Sequence, residues 1–324
     1  MERVLSRSNM QRALKRVKRN KGSAGIDGMS VDELGPWLVD HWLEVRMEIE
    51  NGRYRPSPVR HVTIPKLGGG ERMLGIPTVL DRLIQQALLQ VLSAQFDGGF
   101  SEYSYGFRPK RSAHDAVCQA QRYIQGGKRW VVDVDLEKFF DRVNHDVLMA
   151  KLAKRINDRR VLALIRQYLV AGVMANGIVM ERHEGTPQGG PLSPLLANVL
   201  LDEVDKELEK RGHEFVRYAD DLRVFVGSKR SGDRVMNSLI KLFDKLRLRV
   251  NKTKSAVDRV WRRPFLGFSF WMAPRRRVKM RVAPKAQAAM KSRVRRLTRR
   301  TRGRSLEQIA QELRAYLVGW KGYF

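Results

Sequence analysis

The chain has 324 residues, 43% hydrophobic and 8% aromatic, which excludes a wholly disordered protein and leaves material for a sizeable core. Lys and Arg number 63 against 34 Asp and Glu, and the resulting +29 repels itself unless a polyanion neutralises it, so nucleic acid is the expected partner. A single cysteine, Cys118, excludes an intrachain disulfide and a multi-cysteine zinc site, and fits a reducing, cytoplasmic setting.

Met1 to Lys21 is basic and helical in pattern, without the apolar stretch of a secretory signal. Val131 to Asp135 alternates in the period of a strand after the turn signal Gly126-Gly127. Leu148 to Val170 reads as one helix. The longest nearly apolar run, Tyr168 to Met180, is broken by Asn176 and is shorter than the roughly 20 residues that span a bilayer, so no membrane partner is expected. Pro191 and Pro194 can open a second helix, which Leu195, Val199, Leu200, Val204 and Leu208 continue until Gly212. Phe215 to Tyr218 and Leu222 to Val226 form a hairpin pattern with Ala219-Asp220-Asp221 at its bend. Val235, Leu239, Ile240, Phe243 and Leu246 mark a third amphipathic helix before a strand-like Leu248 to Val250. Strand, helix, two strands, helix, strand is the split βαβ order. From Arg259 through Leu306 there is no acidic residue, and the helical spacing of Lys285 to Arg300 suits contact with backbone phosphates.

The chemistry rests on carboxylates. Asp220 and Asp221 are adjacent at a bend between apolar strands, where they repel unless a cation or a proton compensates. Asp133 and Asp135 share one strand face, and a sheet pairing that strand with the hairpin brings a third carboxylate to the same place. Oxygen donors favour magnesium, and two hard cations clamping the attacking and leaving oxygens promote phosphoryl transfer, so a basic protein with this cluster points to nucleotidyl transfer.

Several separate blocks then agree on a family. Arg217-Tyr218-Ala219-Asp220-Asp221, the run Thr186-Pro187-Gln188-Gly189-Gly190-Pro191-Leu192-Ser193-Pro194-Leu195-Leu196-Ala197-Asn198, and the blocks Ile64-Pro65-Lys66, Gly75-Ile76-Pro77-Thr78, Asp81-Arg82-Leu83-Ile84-Gln85-Gln86 and Tyr105-Gly106-Phe107-Arg108-Pro109 resemble, in order, a group II intron reverse transcriptase, also called a maturase. Gly25-Ile26-Asp27-Gly28 resembles that family's additional N-terminal block, and Phe265-Leu266-Gly267-Phe268 its primer grip.

The resemblance implies an α+β right-hand polymerase: residues 1–128 as fingers with an N-terminal extension, 129–270 as a ferredoxin-like palm of split βαβ type, and 271–324 as a short, basic, helical thumb or maturase-like segment. It implies that Asp135, Asp220 and Asp221 hold two Mg2+ ions, with Mn2+ able to substitute. Asp135 is preferred over Asp133 because Phe140 stands five residues after it, where the family has an aromatic that excludes a ribose 2′-hydroxyl. Lys66 and Arg72 are expected to clamp the incoming deoxynucleoside triphosphate, Gln188 to line its pocket, and Lys252 or Lys254 to stand near the leaving pyrophosphate. Arg275, Arg276, Arg277, Arg295, Arg296, Arg299 and Arg300 are expected to grip nucleic acid. The implied partners are an RNA template, a DNA or RNA primer and structured intron RNA. Three functions follow from the resemblance: RNA-directed DNA polymerase, RNA-binding splicing cofactor with little synthesis, and a reverse transcriptase serving defence or repair. No zinc-type cluster follows the thumb-like segment, so the endonuclease of some relatives is not expected.

Overall fold

The structure, a computed structural model, describes residues 1–65, 71–175, 178–180, 184–186 and 189–324. The chain opens with helices α1 (Glu2–Leu5), α2 (Arg7–Asn20) and α3 (Leu34–Glu50), followed by strands β1 (Val59–Pro65) and β2 (Glu71–Ile76) and helices α4 (Val79–Phe96) and α5 (Ala113–Gln125). Then come β3 (Trp130–Val134), α6 (His145–Ala153), α7 (Arg159–Val170), β4 (Val173–Ala175), β5 (Ile178–Met180) and α8 (Ser193–Lys210). The remainder is β6 (Glu214–Tyr218), β7 (Asp221–Val226), α9 (Lys229–Lys245), β8 (Ala256–Arg259), β9 (Phe268–Ala273), β10 (Arg277–Val282), α10 (Pro284–Leu297) and α11 (Leu306–Tyr323). No described helix is long and apolar enough to cross a membrane.

One sheet runs β6-β7-β3-β8 with every neighbour antiparallel, the order of a split βαβ unit. Its two faces follow from strand alternation. Val132 and Val134 belong to the larger core with Val224 and Val226, against Leu239 and Phe243 of α9. Val131, Val216 and Phe225 face the other way, onto Ala116, Val117, Ala120 and Ile124 of α5 and onto Phe268, Phe270 and Val278 of the β9–β10 hairpin. A second sheet, β2-β1-β4-β5, joins the hairpin β1–β2 to the later pair β4–β5 by a parallel contact of Val59 and Arg60 with Val173 and Met174.

Three sequence expectations are corrected by local chemistry. Leu148 to Val170 is two helices, because Asp158 turns its side chain onto the backbone N–H groups of Arg160 and Val161 and starts α7 afresh. Leu248 to Val250 contributes only one bridge, Val250 to Leu136, because the Asn251 side chain accepts from the amides of Thr253 and Lys254 and turns the chain. The sheet edge is taken by β8 instead. The basic helix expected from Lys285 to Arg300 ends at Leu297, with Thr298 bonding back to the Val294 carbonyl.

The segment from Asp27 to Glu50 breaks the basic pattern of the molecule. Between Asp27 and Glu50 stand seven acidic residues and one arginine. On α3 the acids Asp40 and Glu44 accompany an exposed apolar row, Val39, Leu43 and Met47, at successive intervals of four. The opposite face of α3 buries Leu34, Val45 and Ile49.

Candidate active site

Alternation places the chemistry. On β3 the residues that face α5 are Val131 and then Asp133, and the cross-strand partners are Phe225 and Arg223. Beyond them the apolar cover ends. There Asp133, Asp135, Asp220, Asp221, Arg223, Lys254 and Arg263 line a cleft of about 290 Å³ with Val134 and Leu136. The three carboxylates named from sequence as metal ligands, Asp135, Asp220 and Asp221, therefore open into one space.

Asp133 is not equivalent to them. One of its oxygens lies 3.2 Å from the Arg223 guanidinium and the other 2.7 Å from that of Arg263. Arg223 is itself buried, stacked 4.8 Å from the Phe265 ring and donating to the Arg263 carbonyl. Asp133 thus neutralises two arginines under the cleft. Asp135 is more open, at 45% exposure, with the Lys254 ammonium 4.0 Å away, and its amide donates to the Ser255 hydroxyl. The amide of Asn251 donates to the Asp135 carbonyl and anchors it.

The bend carrying Asp220 and Asp221 is built with care for its backbone. Tyr218 and Asp221 pair across a two-residue turn in which Ala219 takes the left-handed conformation, φ 57°. The Ala219 carbonyl accepts a hydrogen bond at 2.9 Å from the Arg217 guanidinium, which also donates to Asn198 and Ser104. Gly106 lies so close that a Cβ there would sit 2.3 Å from the Ala219 nitrogen. Asn198, near the end of the Thr186 to Asn198 block, donates to the Gly106 carbonyl. Three sequence-distant blocks are in this way tied to one bend.

Electrostatics favour a cation here. Burial, followed by the negative charges of Asp133 and Asp220, pushes the Asp221 carboxyl up to about 6 against the pull of Arg223. Among the described residues no three carboxylate, imidazole or thiol groups stand in a ready ligating cluster. The donor set is nevertheless of the right kind. Asp135, Asp220 and Asp221 supply only hard oxygens, and a dication would relieve the repulsion that raises Asp221.

The other expected site residues fall as follows. Phe140 sits in a short turn, half-buried beside Phe139, and its carbonyl accepts from the Thr186 amide at 2.7 Å, which brings it to the Thr186 block. Lys252 lines a separate cleft with Glu137, Asp244 and Asn251, so the carboxylate cleft belongs to Lys254 and not to Lys252. Lys66 and Gln188 lie outside the described residues, as does the side chain of Arg72, whose backbone pairs with Ile64. Arg275 and Arg276 form the turn between β9 and β10, Arg277 opens β10, Arg295 and Arg296 close α10, and Arg299 and Arg300 follow it, all exposed. Sequence reading missed Arg223 and Arg263 as parts of the site, and named Arg217 and Asn198 only as members of their blocks, without a role. Arginine alternating into the face of an apolar strand, as at Arg223, was the signal for the first.

Residues 64–270 match the reverse transcriptase (RNA-dependent DNA polymerase) family, and residues 287–324 match the group II intron maturase-specific domain. Protein YkfC of Escherichia coli K12 is 38% identical over 191 residues, covering 58% of this chain and 50% of that protein. The group II intron-encoded protein LtrA of Lactococcus lactis subsp. cremoris is 37% identical over 195 residues, covering 60% of this chain and 32% of that protein. The chain therefore spans half, or about a third, of the length of these relatives. A solved structure of telomerase from Candida albicans aligns over 89% of this chain and 58% of that one with a TM-score of 0.56 at 16% identity, a likeness of fold.

Proposed function

Because this chain belongs to the reverse transcriptase (RNA-dependent DNA polymerase) family, we propose that it extends a primer on an RNA template through the cleft of Asp135, Asp220 and Asp221. The observation that carries this reading is the union in one cleft of three carboxylates, one just past the end of β3 and two at the β6–β7 bend, with Asp133 withdrawn into ion pairs. In this reading Asp135, Asp220 and Asp221 hold two magnesium ions, which manganese can replace. The ions would supply charge stabilisation at the attacking and leaving oxygens. Lys254 neutralises charge on the leaving side of the cleft. Phe140, fixed to the Thr186 block, packs against the deoxyribose. Lys66, Arg72 and Gln188 are assigned to the incoming nucleotide on the family's pattern. The arginines from Arg275 to Arg300 hold the duplex by its phosphates.

A second activity is supported by the match of residues 287–324 to the maturase-specific domain: binding of folded intron RNA to assist splicing. The two activities share the same basic surface and do not compete for the carboxylates. The test of the first is magnesium-dependent extension of a DNA primer on an RNA template by the purified chain. Asp220→Asn should remove it, since a ligand loses its charge while keeping its shape. Synthesis at wild-type level in that variant would overturn the assignment.

A further inference from the structure

The exposed apolar row of α3 stands beside an apolar groove. Val39 and Leu43 are 84% and 70% exposed, and Met47 follows them one turn on. On one flank of this ridge, α2 and α3 enclose a groove of about 400 Å³ floored by Leu5, Met10, Leu14, Leu38 and Trp42. Single exposed apolar side chains are ordinary on a protein surface. A ridge and a groove lying edge to edge form one contiguous patch, of the kind that marks an interface.

The charges are sorted across this patch. At about 3.6 residues per turn, Asp40, Glu44 and Glu48 fall on the far side of the ridge from the groove. The other wall of the groove is α2, which carries no acid. Arg7 lines the groove, Lys15 stands exposed two turns on, and the Lys18 ammonium lies 2.8 Å from where a Cβ on Gly35 would stand. Arg46, at the groove's edge, is paired with Glu50 at 3.0 Å and leaves this order undisturbed. Across the patch the sequence of features is acid, ridge, groove, base.

That order decides the occupant. A partner must offer a groove to the ridge, a ridge to the groove, bases to the acids and acids to the bases. The patch itself does so when turned about a two-fold axis that lies in its plane along the boundary of ridge and groove. Ridge then enters groove and acid faces base on both sides. A two-fold axis across the helices would set ridge on ridge and acid on acid, which repulsion disfavours. We propose that two copies of the chain associate through this patch, α3 of each seated in the groove of the other and the two α3 helices running in the same direction. The contact uses no residue of the carboxylate cleft, so it stands whether or not the chain is a polymerase.

The experiment measures the mass of the nuclease-treated full chain by sedimentation and light scattering over a range of concentration, because bound nucleic acid would itself bridge so basic a protein. The wild type should form a dimer that dissociates on dilution, and more readily in high salt. Leu43→Glu should raise the dimer dissociation constant more than about tenfold and leave the melting temperature of the monomer unchanged, since this side chain faces solvent in the single chain. Two charge variants carry the discriminating test. Asp40→Lys with Glu44→Lys, and separately Arg7→Glu with Lys15→Glu, should each lose the dimer alone while melting as wild type does. Mixed in equal amounts they should form a mixed dimer, because one half of its interface has the charges exchanged and the other half has them as in wild type. A monomeric wild type overturns the proposal. So do a dimer that Leu43→Glu leaves intact, charge variants that associate alone as wild type does, and a mixture that stays monomeric.

Discussion

Arg217 and Asp205 form an ion pair that water does not reach: their side chains are 1% and 0% exposed, with Nε 2.8 Å from Oδ1 and Nη2 2.5 Å from Oδ2. The pair ties α8 to β6, and through the Ala219 carbonyl it sets the bend that carries Asp220. Removing one partner of such a pair leaves an uncompensated buried charge, which costs about 3 to 5 kcal/mol. We predict that Asp205→Ala loses stability of that size in denaturant unfolding, with Asp205→Asn losing less because it keeps an acceptor. An alanine variant as stable as wild type would show that the pair does not anchor the bend.

The two strand aspartates should separate by phenotype. Asp135→Ala is expected to abolish synthesis and to unfold near the wild-type midpoint, since Asp135 stands in an open cleft. Asp133→Ala takes the carboxylate from Arg263 and leaves Arg223 only Asp221, 3.4 Å from its Nε, and should destabilise by about 2 to 3 kcal/mol. Primer extension and unfolding measured on both variants decide the matter. A folded, inactive Asp133 variant beside an active Asp135 variant would reverse the assignment.

The raised Asp221 carboxyl has a signature in stability. Its folded value, about 6, lies above its ordinary value near 4, so in that interval the folded state binds more protons than the unfolded one. Stability is therefore lost as pH rises through this window, and the penalty is complete above it. The side chain is 37% exposed, so after screening the penalty is on the order of 1 kcal/mol. In metal-free buffer, Asp221→Asn should melt above wild type at pH 8, with the advantage gone by about pH 4. Added magnesium should raise the wild-type melting temperature more than that of the variant. A variant that melts below wild type at pH 8 without metal contradicts the prediction.

Binding of the duplex should depend steeply on salt. Each phosphate neutralised by an arginine lowers log affinity by roughly 0.9 per log unit of salt for duplex DNA, so about five contacts weaken binding several hundredfold between about 50 and 200 mM. Charge reversal at Arg295 and Arg296 should flatten that slope and spare single-nucleotide chemistry at saturating duplex. Identical slopes for wild type and the double variant would remove these two arginines from the interface.

Much of the palm was legible because strand alternation and helical period speak directly in this sequence. Val131 to Val134, the hairpin around Ala219 and the helix from Ser193 all fall where apolar spacing places them. The failures are instructive in kind. Asp158 and Asn251 redirect the chain through side-chain bonds to nearby amides, a signal of one residue set against a long apolar rhythm. Of the site, the acids were visible as an unlikely charge pair between buried strands. The arginines that sort them, Arg223 and Arg263, were not, since one is 88 and the other 128 residues from Asp135 in the chain and only folding brings them under the same cleft. Lys252 and Lys254 illustrate the finest limit: two residues of separation put them in different clefts.

The acidic segment that leads into and forms α3 sets a local negative charge against the positive charge of the rest of the chain. With seven acids between Asp27 and Glu50 and none from Arg259 through Leu306, its field has direction. A polyanion drifting within a Debye length, about 8 Å at physiological salt, is repelled by the first segment and drawn by the second. The protein is thus turned as it approaches, and collisions on the unproductive side are shortened before any contact forms.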